Sequence, residues 1–177
     1  MAQLHQIEGK HFGLDHDNYI GSLMQVNEQC NEWIEFYTNH RLLALTAKAR
    51  DQGFFEKNHC LWVEKLCQKL DELIPTCNPS LIHGDLWSGN LLNDKSGQPV
   101  LIDPAVYYGH PEMDWAMLSL FGNYPEEAMR SYQNIKPLEK GFEERVDIHQ
   151  LYPLLVHLIL FGSGYISGIL RTLKKYT

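Results

Sequence analysis

One short stretch of β-type sequence interrupts a chain whose other apolar residues follow helical spacing. An apolar pair at 81–82 leads into a polar, glycine-bearing loop at 83–90, and apolar runs at 91–92 and 99–102 then flank a polar turn. Two apolar runs around such a turn predict a β-hairpin. The second run leads directly into Asp103, so the hairpin returns the chain to the edge at which the polar loop ends.

The remaining apolar residues predict helices on both sides of this stretch. The first stripe has the spacing of one helix face but slips by one place, which predicts a bend near Asn39; it comprises Cys30, Trp33, Ile34, Tyr37, Leu42, Leu45 and Ala49. A second stripe stops at Pro75 and comprises His59, Trp62, Val63, Leu66, Leu70 and Leu73. The two stripes predict an antiparallel helix pair. Further helices are expected to begin near Pro111 and Pro125.

The segment from Leu151 to Leu170 allows two interpretations. It contains no Asp, Glu, Lys or Arg, and basic residues follow it, as in a membrane span. Pro153, His157 and three glycines between 162 and 168 instead favour two short buried helices with a break between them. We expect the second arrangement, with the segment in the core.

Composition favours a single cytoplasmic domain over residues 1–177. The chain has 177 residues and a formal net charge of −7, which argues against nucleic acid or an anionic membrane as a partner. Its four cysteines form no C-x-x-C pair, which suits reduced thiols. No apolar signal-peptide segment follows Met1, and we find no internal repeat or flexible linker.

The polar loop carries residues whose types and order fit phosphoryl transfer. His83 and Asp85 form an H-x-D motif, and Asn90 follows after four residues. Asp103 ends the second predicted strand. An attacking hydroxyl needs a carboxylate to accept its proton, and Mg²⁺ on nucleotide phosphates takes amide and carboxylate oxygens as ligands. Asp85 can supply the base, and Asn90 and Asp103 can supply the metal ligands.

Each of these residues also has an ordinary structural interpretation. His83 can pack in the loop or bond a turn, and Asp85 can be a turn residue. Asn90 can begin a strand, and Asp103 before a proline can cap a turn. Their joint order and the intervening hairpin favour the chemical interpretation, because the same His-x-Asp-x₄-Asn pattern with a later metal-binding Asp occurs in the kinase signature.

Three motifs together resemble the fructosamine kinase (ketosamine-3-kinase) family. They are H-G-D-L-W-S-G-N at 83–90, L-I-D-P-A at 101–105 and P-E-M-D-W-A-M-L at 111–118. H-G-D is shared with aminoglycoside and choline kinases, whereas W-S-G-N and P-E-x-D are narrower. The segments 2–5 and 12–21 also resemble blocks of the family, so the resemblance covers nearly the whole chain. It implies a mainly α (α+β) fold, the C-terminal lobe of an aminoglycoside-phosphotransferase-like protein kinase fold, helical with a small β-hairpin after the catalytic loop.

The resemblance also implies an activity and its residues. The expected reaction is the ATP-dependent phosphorylation of a sugar hydroxyl of a ketosamine, a fructosamine or ribulosamine that is free or protein-bound. Asp85 would be the catalytic base, and Asn90 and Asp103 would hold the Mg²⁺ of Mg-ATP. Trp87 would flank the ketosamine, unless it packs beneath the loop. Two loop-scaffold residues, His83 and Asp114, would position the base.

One part of the kinase pattern is missing. The chain has no strand-borne glycine-rich loop and no strand lysine, so we expect an N-terminal nucleotide lobe to be absent from it. The glycine-containing segment 162–168 is one residue longer than that loop, and it fits helix packing better. The alternatives are a non-catalytic sugar-binding remnant, or a kinase for another hydroxyl substrate such as an aminoglycoside or choline. Contact with a missing lobe, or self-association, is expected at an exposed apolar surface.

Overall fold

The computed structural model describes residues 1–122, 124 and 126–176 and shows a mainly helical chain with small antiparallel sheets. Its α-helices are α1 (Ala2–His5), α2 (Trp33–Phe36), α3 (Ala44–Asp51), α4 (Lys57–Cys67), α5 (Leu70–Leu73), α6 (Glu112–Leu120), α7 (Glu126–Gln133), α8 (Phe142–His149), α9 (Leu151–Phe161) and α10 (Ile166–Tyr176). Its strands are β1 (Asn18–Ile20), β2 (Leu23–Gln25), β3 (Ser80–Ile82), β4 (Leu91–Asn93), β5 (Pro99–Leu101) and β6 (Tyr107–Gly109). Short 3₁₀ helices lie at Ser88–Asn90 and Ser163–Tyr165.

The predicted hairpin is confirmed. Strands β4 and β5 pair antiparallel, with Leu91 opposite Leu101. The Asp94 carboxylate accepts hydrogen bonds from the backbone N–H groups of Ser96 and Gln98, and Gly97 takes a positive φ of 79° that closes the turn. Strand β3 pairs with β6, and β1 pairs with β2, and neither pairing was predicted from the sequence.

A π-helical segment explains the slip in the first apolar stripe. The helix runs from α2 through a π-helix at Tyr37–Leu43 into α3. A π-turn closes hydrogen bonds over one more residue than an α-turn, so the buried face moves along the sequence by one place. Leu42, Leu45 and Ala49 are therefore buried with Trp33, as the stripe requires. The predicted irregularity is an extra residue wound into a continuous helix.

The prediction of one helix up to Pro75 was wrong. Helix α4 ends at Cys67, where the N–H of Lys69 bonds the carbonyl of Leu66 in a tighter turn, and α5 begins at Leu70. Val63, Leu66 and Leu70 are nevertheless all buried in the main core. Burial of an apolar residue every three or four positions is compatible with such a break, so the pattern did not reveal it.

The uncharged segment forms two helices, as predicted. Helix α9 ends at Phe161, Gly162 adopts a positive φ of 93°, and α10 begins at Ile166. No helix in the described residues is long and apolar enough to cross a membrane. The break is possible because Gly162 has no Cβ to strain in this conformation.

Two groups of buried apolar residues lie on either side of α6. The main core includes residues of α2 to α5 and of the π-helical segment, together with residues of α9 and α10. A smaller cluster joins α1, α6, α7 and α8 and comprises Ala2, Trp115, Met129, Tyr132 and Phe142. The predicted helix start at Pro111 is confirmed, because α6 begins at Glu112. The predicted start at Pro125 lies outside the described residues, and α7 is described from Glu126.

Candidate active site

The polar loop is held against the chain that follows the hairpin. His83 comes directly after β3, and its carbonyl accepts a hydrogen bond of 2.9 Å from the N–H of Ala105. Gly84 has a φ of +80°, and a Cβ there would collide with the carbonyl oxygen of Ala105. Glycine is thus required both by the backbone conformation and by this close approach. The contact ties the residues around Asp85 to the residues around Asp103.

Asp114 holds the loop from the other side. Its two carboxylate oxygens accept hydrogen bonds from the N–H groups of His83 (2.7 Å) and Gly84 (2.9 Å). The Nε2 of His5 in α1 donates to it over 3.0 Å, and the Nδ1 of His5 is hydrogen-bonded to the Tyr132 hydroxyl. Burial by itself would raise the pKa of Asp114, but these hydrogen bonds outweigh it and lower the pKa. A buried carboxylate therefore stays ionised and fixes the loop.

The His83 side chain bridges the loop and the hairpin. Its Nε2 donates to the carbonyl of Ile102 over 3.0 Å, and its Nδ1 accepts from the N–H of Asp85 over 3.3 Å. The first bond assigns the ring proton to Nε2, because a carbonyl can only accept. His83 thus lies between the two acidic residues of the site without pointing a free nitrogen at a substrate.

Asp85 and Asn90 contact each other directly. The Asn90 side-chain amide donates to the backbone oxygen of Asp85 over 2.9 Å and to its Oδ2 over 3.3 Å. Since the NH₂ group is used in this way, the Oδ1 of Asn90 is the end available for a cation. Burial raises the pKa of Asp85 above its ordinary value, and the nearby Asp103 raises it further, against the opposing effects of His157, His83 and Asn90.

Asp103 adopts a strained backbone conformation at the end of the hairpin. Its φ of +53° is the only positive value at a non-glycine position in the described part of the chain. Left-handed backbone costs about 1–2 kcal/mol for an L-residue, and Asp tolerates it better than most. Such strain is often found at functional sites. Here it leaves an exposed carboxylate near Asp85.

The donor set fits a magnesium ion. Asn90 offers an amide oxygen and Asp103 a carboxylate, which are the hard ligands that Mg²⁺ prefers. A second group, the side chains of His110, Glu112 and His149, is also close enough together to suggest a metal. There both oxygens of Glu112 already accept hydrogen bonds from the Arg145 guanidinium, at 2.6 and 2.7 Å. The guanidinium therefore supplies the positive charge that a metal ion would bring to this group.

An aromatic pocket of about 370 Å³ lies close to Asp85, because its lining residue His157 lowers the pKa of that carboxyl group electrostatically. We call it the aromatic pocket, and its lining residues are Trp87, Phe121, His157, Phe161 and Tyr165. The ring centroid of His157 is 5.0 Å from those of both Phe121 and Tyr165. The Nδ1 of His157 donates to the carbonyl of Pro153, so Nε2 is the nitrogen with a free lone pair.

Trp87 reaches this pocket because Gly89 has no side chain. A Cβ on Gly89 would collide with the indole ring. Trp87 is 39% exposed and packs edge-on against Phe121 at a centroid distance of 6.3 Å. The indole thus lies against the backbone of the loop at Gly89 and also lines the aromatic pocket.

The other residues of the aromatic pocket were not found from the sequence. His157 and Phe161 lie one turn apart on α9, and the apolar character of that segment predicted only core packing. Phe161 is in fact 68% exposed. Periodicity cannot show which edge of a buried helix reaches a cavity, because that depends on packing with α10 and on the position of the loop.

The fold and the loop define a class. A loop carrying His83, Asp85 and Asn90, a hairpin, and a strained Asp103 on a helical scaffold form the C-terminal lobe of a protein-kinase-like fold. Residues 1–177 match the family model described as fructosamine kinase. The chain belongs to the fructosamine kinase family.

Individual relatives agree with this assignment. The chain is 41% identical to a Lactiplantibacillus plantarum protein named "Probable ketoamine kinase", over 99% of this chain and 64% of that protein. It is 38% identical to the chloroplastic protein-ribulosamine 3-kinase of Arabidopsis thaliana, over 99% of this chain and 55% of that protein. A crystal structure of a Thermobifida fusca protein described as a fructosamine-3-kinase superposes with a TM-score of 0.92 at 40% identity, over 98% of this chain and 60% of that one. The chain thus spans less than two thirds of each.

Proposed function

We propose that this chain is the catalytic and substrate-binding lobe of an ATP-dependent kinase that phosphorylates a sugar hydroxyl of a ketosamine. The observation that carries the proposal is a half-buried carboxyl group, Asp85, close to two candidate metal ligands and to an aromatic pocket of sugar size. The family assignment and the names of the relatives support the substrate class.

In the proposed reaction Asp85 is the general base. The substrate hydroxyl oxygen forms a bond to the γ-phosphorus of ATP, the bond from that phosphorus to the β,γ-bridging oxygen breaks, and ADP leaves. The hydroxyl proton moves to the Asp85 carboxylate. The raised pKa makes Asp85 a stronger base than an exposed aspartate, and the Asn90 amide keeps its carboxylate oriented.

Asn90 and Asp103 would hold Mg²⁺ bound to the nucleotide. The ion supplies positive charge that offsets the charge of the phosphate oxygens. The protein's contribution is orientation: Asn90 keeps its Oδ1 available by donating its NH₂ to Asp85, and the carbonyl of Asn90 accepts from the N–H of Ile102 over 3.1 Å. That second bond joins the loop to the residue before Asp103.

The aromatic pocket would bind the ketosamine. Sugar rings have apolar C–H faces that pack on aromatic rings, and Trp87 and Phe121 offer such faces. The free Nε2 of His157 can accept a hydrogen bond from a substrate hydroxyl. A ketosamine nitrogen is cationic when protonated, and a net charge of −7 favours the approach of a cation.

The β4–β5 hairpin presents an apolar surface next to the metal ligands. Leu92, Val100 and Ile102 are 50%, 40% and 36% exposed. We assign this surface to the nucleotide base and to a second, nucleotide-binding lobe, in agreement with the extra length of the relatives. Self-association of the chain would cover the same side chains.

The proposal is tested by replacing the base. The Asp85→Asn variant should lose phosphate transfer from ATP to a ketosamine by about 10³-fold, because the amide cannot accept the proton. The measurement is phosphorylated ketosamine formed per unit time, with Asp71→Asn as a control that removes an exposed carboxylate elsewhere. Unchanged transfer in Asp85→Asn would contradict the role of Asp85.

A second candidate function is binding of the sugar without transfer. It is favoured by one observation, that the lining of the aromatic pocket includes neither of the candidate metal ligands Asn90 and Asp103. Calorimetric titrations with a ketosamine and with Mg-ATP separate the two functions. Binding of the ketosamine with no binding of Mg-ATP would favour a sugar-binding function over a kinase function.

A further inference from the structure

A fully buried arginine in the core has no acidic partner among the described residues. Arg41 lies in the π-helical segment and is 0% exposed. Within residues 1–122, 124 and 126–176, no carboxylate oxygen forms an ion pair with it. Its guanidinium carbon lies over three aromatic rings, at 4.5 Å from Phe36, 4.2 Å from Tyr107 and 5.1 Å from Tyr152. A buried cation without a carboxylate is costly, so its place in the structure requires an explanation.

The guanidinium is the start of a chain of side-chain amides. One NH₂ group of Arg41 donates to the backbone oxygen of Val26 over 2.6 Å, and the other donates to the Oδ1 of Asn27 over 2.8 Å. The amide of Asn27 donates to the Oδ1 of Asn18 over 2.9 Å. The amide of Gln25 donates to the same oxygen over 2.7 Å. We call Asn18, Gln25 and Asn27 the amide relay.

The amide relay ends on two backbone carbonyls. Asn18 donates to the oxygen of Val106 over 2.8 Å, and Gln25 donates to the oxygen of Ala105 over 3.1 Å. Ala105 lies two residues after Asp103, and Val106 lies three residues after it. The Ala105 oxygen is also the atom that a side chain on Gly84 would strike, and the Ala105 N–H donates to His83. The relay therefore contacts the junction between the loop of Asp85 and the turn of Asp103.

The cation favours one direction for every bond in this chain. Arginine has donors and no acceptor, so Asn27 must turn its oxygen toward Arg41 and its NH₂ toward Asn18. Asn18 then accepts through its oxygen, and only its NH₂ is left to face Val106. The Asn27 NH₂ also donates to the backbone oxygen of His16 over 3.2 Å, and the Tyr152 hydroxyl donates to the Oε1 of Gln25, so these contacts support the same orientation. The buried charge adds to them, because it holds the oxygen of Asn27 and leaves donors at the far ends of the relay, as two carbonyls require.

The geometry points to Arg41 as a positioning residue that acts through Asn27, Asn18 and Gln25 to hold the Asp103–Val106 segment, and with it the candidate metal ligand and the catalytic loop. The expected effect of Arg41 on turnover rests on the proposed kinase function. The expected effect on the structure does not, because the relay holds the Asp103–Val106 segment with or without a substrate.

The first experiment measures backbone amide hydrogen exchange. The variants are Arg41→Met, which removes the cation, and Asn18→Ala, which breaks the relay and leaves the cation in place. The control is Ile169→Ala, which truncates a buried apolar side chain in α10 that forms none of the hydrogen bonds of the relay. Exchange at the Ala105 and Ile102 amides, relative to amides of α9 in the same protein, should accelerate about tenfold or more in both variants and stay unchanged in the control. Equal relative exchange in Asn18→Ala and in the control would overturn the inference, even if Arg41→Met fails to fold.

The second experiment measures phosphate transfer. Outer-shell partners of metal ligands typically change activity by about 10- to 100-fold, so kcat should fall by this factor in Arg41→Met and Asn18→Ala with little change in KM for the ketosamine. Arg41→Lys keeps donors and should recover part of kcat, and the double variant should be no worse than the poorer single variant. A fall in kcat equal to that of Ile169→Ala, or additive losses in the double variant, would overturn the inference. A wild-type protein that contains the nucleotide-binding lobe and still shows no transfer would contradict the proposed function alone, and the exchange comparison would still decide the role of Arg41.

Discussion

At Asp85, burial and neighbouring charges act on one carboxyl group in opposite directions. Burial raises its pKa most, and Asp103 adds to the rise, whereas the rings of His157 and His83 and the amide of Asn90 lower it. The net result is a pKa above the ordinary value, which suits a group that must accept a proton and release it again. The same balance makes the protonation state of Asp85 sensitive to changes in the aromatic pocket.

This balance predicts the pH dependence of transfer. Ionised Asp85 is the active form, so kcat/KM should fall as the pH drops through its raised folded-state pKa. Replacing His157 by Gln removes an interaction that favours the carboxylate, and the acid limb should therefore move to higher pH. The measurement is kcat/KM for a ketosamine across the acid range, with His16→Gln, an exposed histidine, as the control. If the acid limb of the kcat/KM profile moved to lower pH in His157→Gln, the assignment of that limb to Asp85 would be contradicted.

Among the elements, α6 and α8 are joined by a buried ion pair. Both oxygens of Glu112 accept from Arg145, and the Nε2 of His149 donates to its Oε2 over 3.1 Å. Burial alone would raise the pKa of Glu112, but the bonds from His149 and Arg145 outweigh it and lower the pKa to about 2. Helix α6 also carries Asp114, so this pair anchors the helix that holds the loop of the candidate active site.

The Arg145→Met variant should be strongly destabilised. Removing one partner of a buried pair leaves an uncompensated charge, which costs about 3–5 kcal/mol in the free energy of unfolding. Urea unfolding at pH 7 measures it, and Lys175→Met, which breaks an exposed pair with Asp147, should change the same free energy by less than about 1 kcal/mol.

The pH dependence of that difference gives an independent check. The folded-state pKa of Glu112 lies below its ordinary value of 4.5, so the stability it contributes is fully present above pH 4.5 and is lost as the pH falls toward about 2. The gap between the wild type and Arg145→Met should therefore narrow across that window. A gap that widens on acidification would contradict the ion pair as its source.

At the scale of the whole molecule, the two apolar clusters are expected to unfold together. The smaller cluster around Trp115 shares α6 with the candidate active site and is joined to the main core by the Glu112 ion pair. A polar contact crosses between the two as well, because Asp114 of α6 accepts from the N–H of His83, which follows Ile82 of the main core. Residues 1–177 should therefore behave as one domain.

Calorimetry tests this directly. A single transition is expected, with a calorimetric enthalpy of about 120 kcal/mol near 60 °C for a chain of this length and an equal van't Hoff enthalpy. Far-ultraviolet circular dichroism and tryptophan fluorescence should give coincident midpoints. Two resolved transitions, or a van't Hoff enthalpy well below the calorimetric one, would show that the two clusters are separate folding units.

Local spacing was enough to predict the loop and its hairpin. Asp85, Asn90 and Asp103 lie within one short segment whose turn residues, such as Gly97, specify the hairpin by backbone geometry alone. The slip near Asn39 was visible for the same reason, since a π-turn shifts an apolar stripe by one residue. The break between α4 and α5 was not visible, because the buried face continues across it.

The sequence by itself therefore determined the helical class, the order of the polar loop and the hairpin, and the choice of the candidate base and metal ligands. Only the tertiary structure decided what surrounds them. The aromatic pocket joins Trp87 to side chains of α9, and the amide relay joins Arg41 to the turn after Asp103. These contacts link residues far apart in the chain, and whether such side chains meet depends on how the helices pack, which no local spacing encodes.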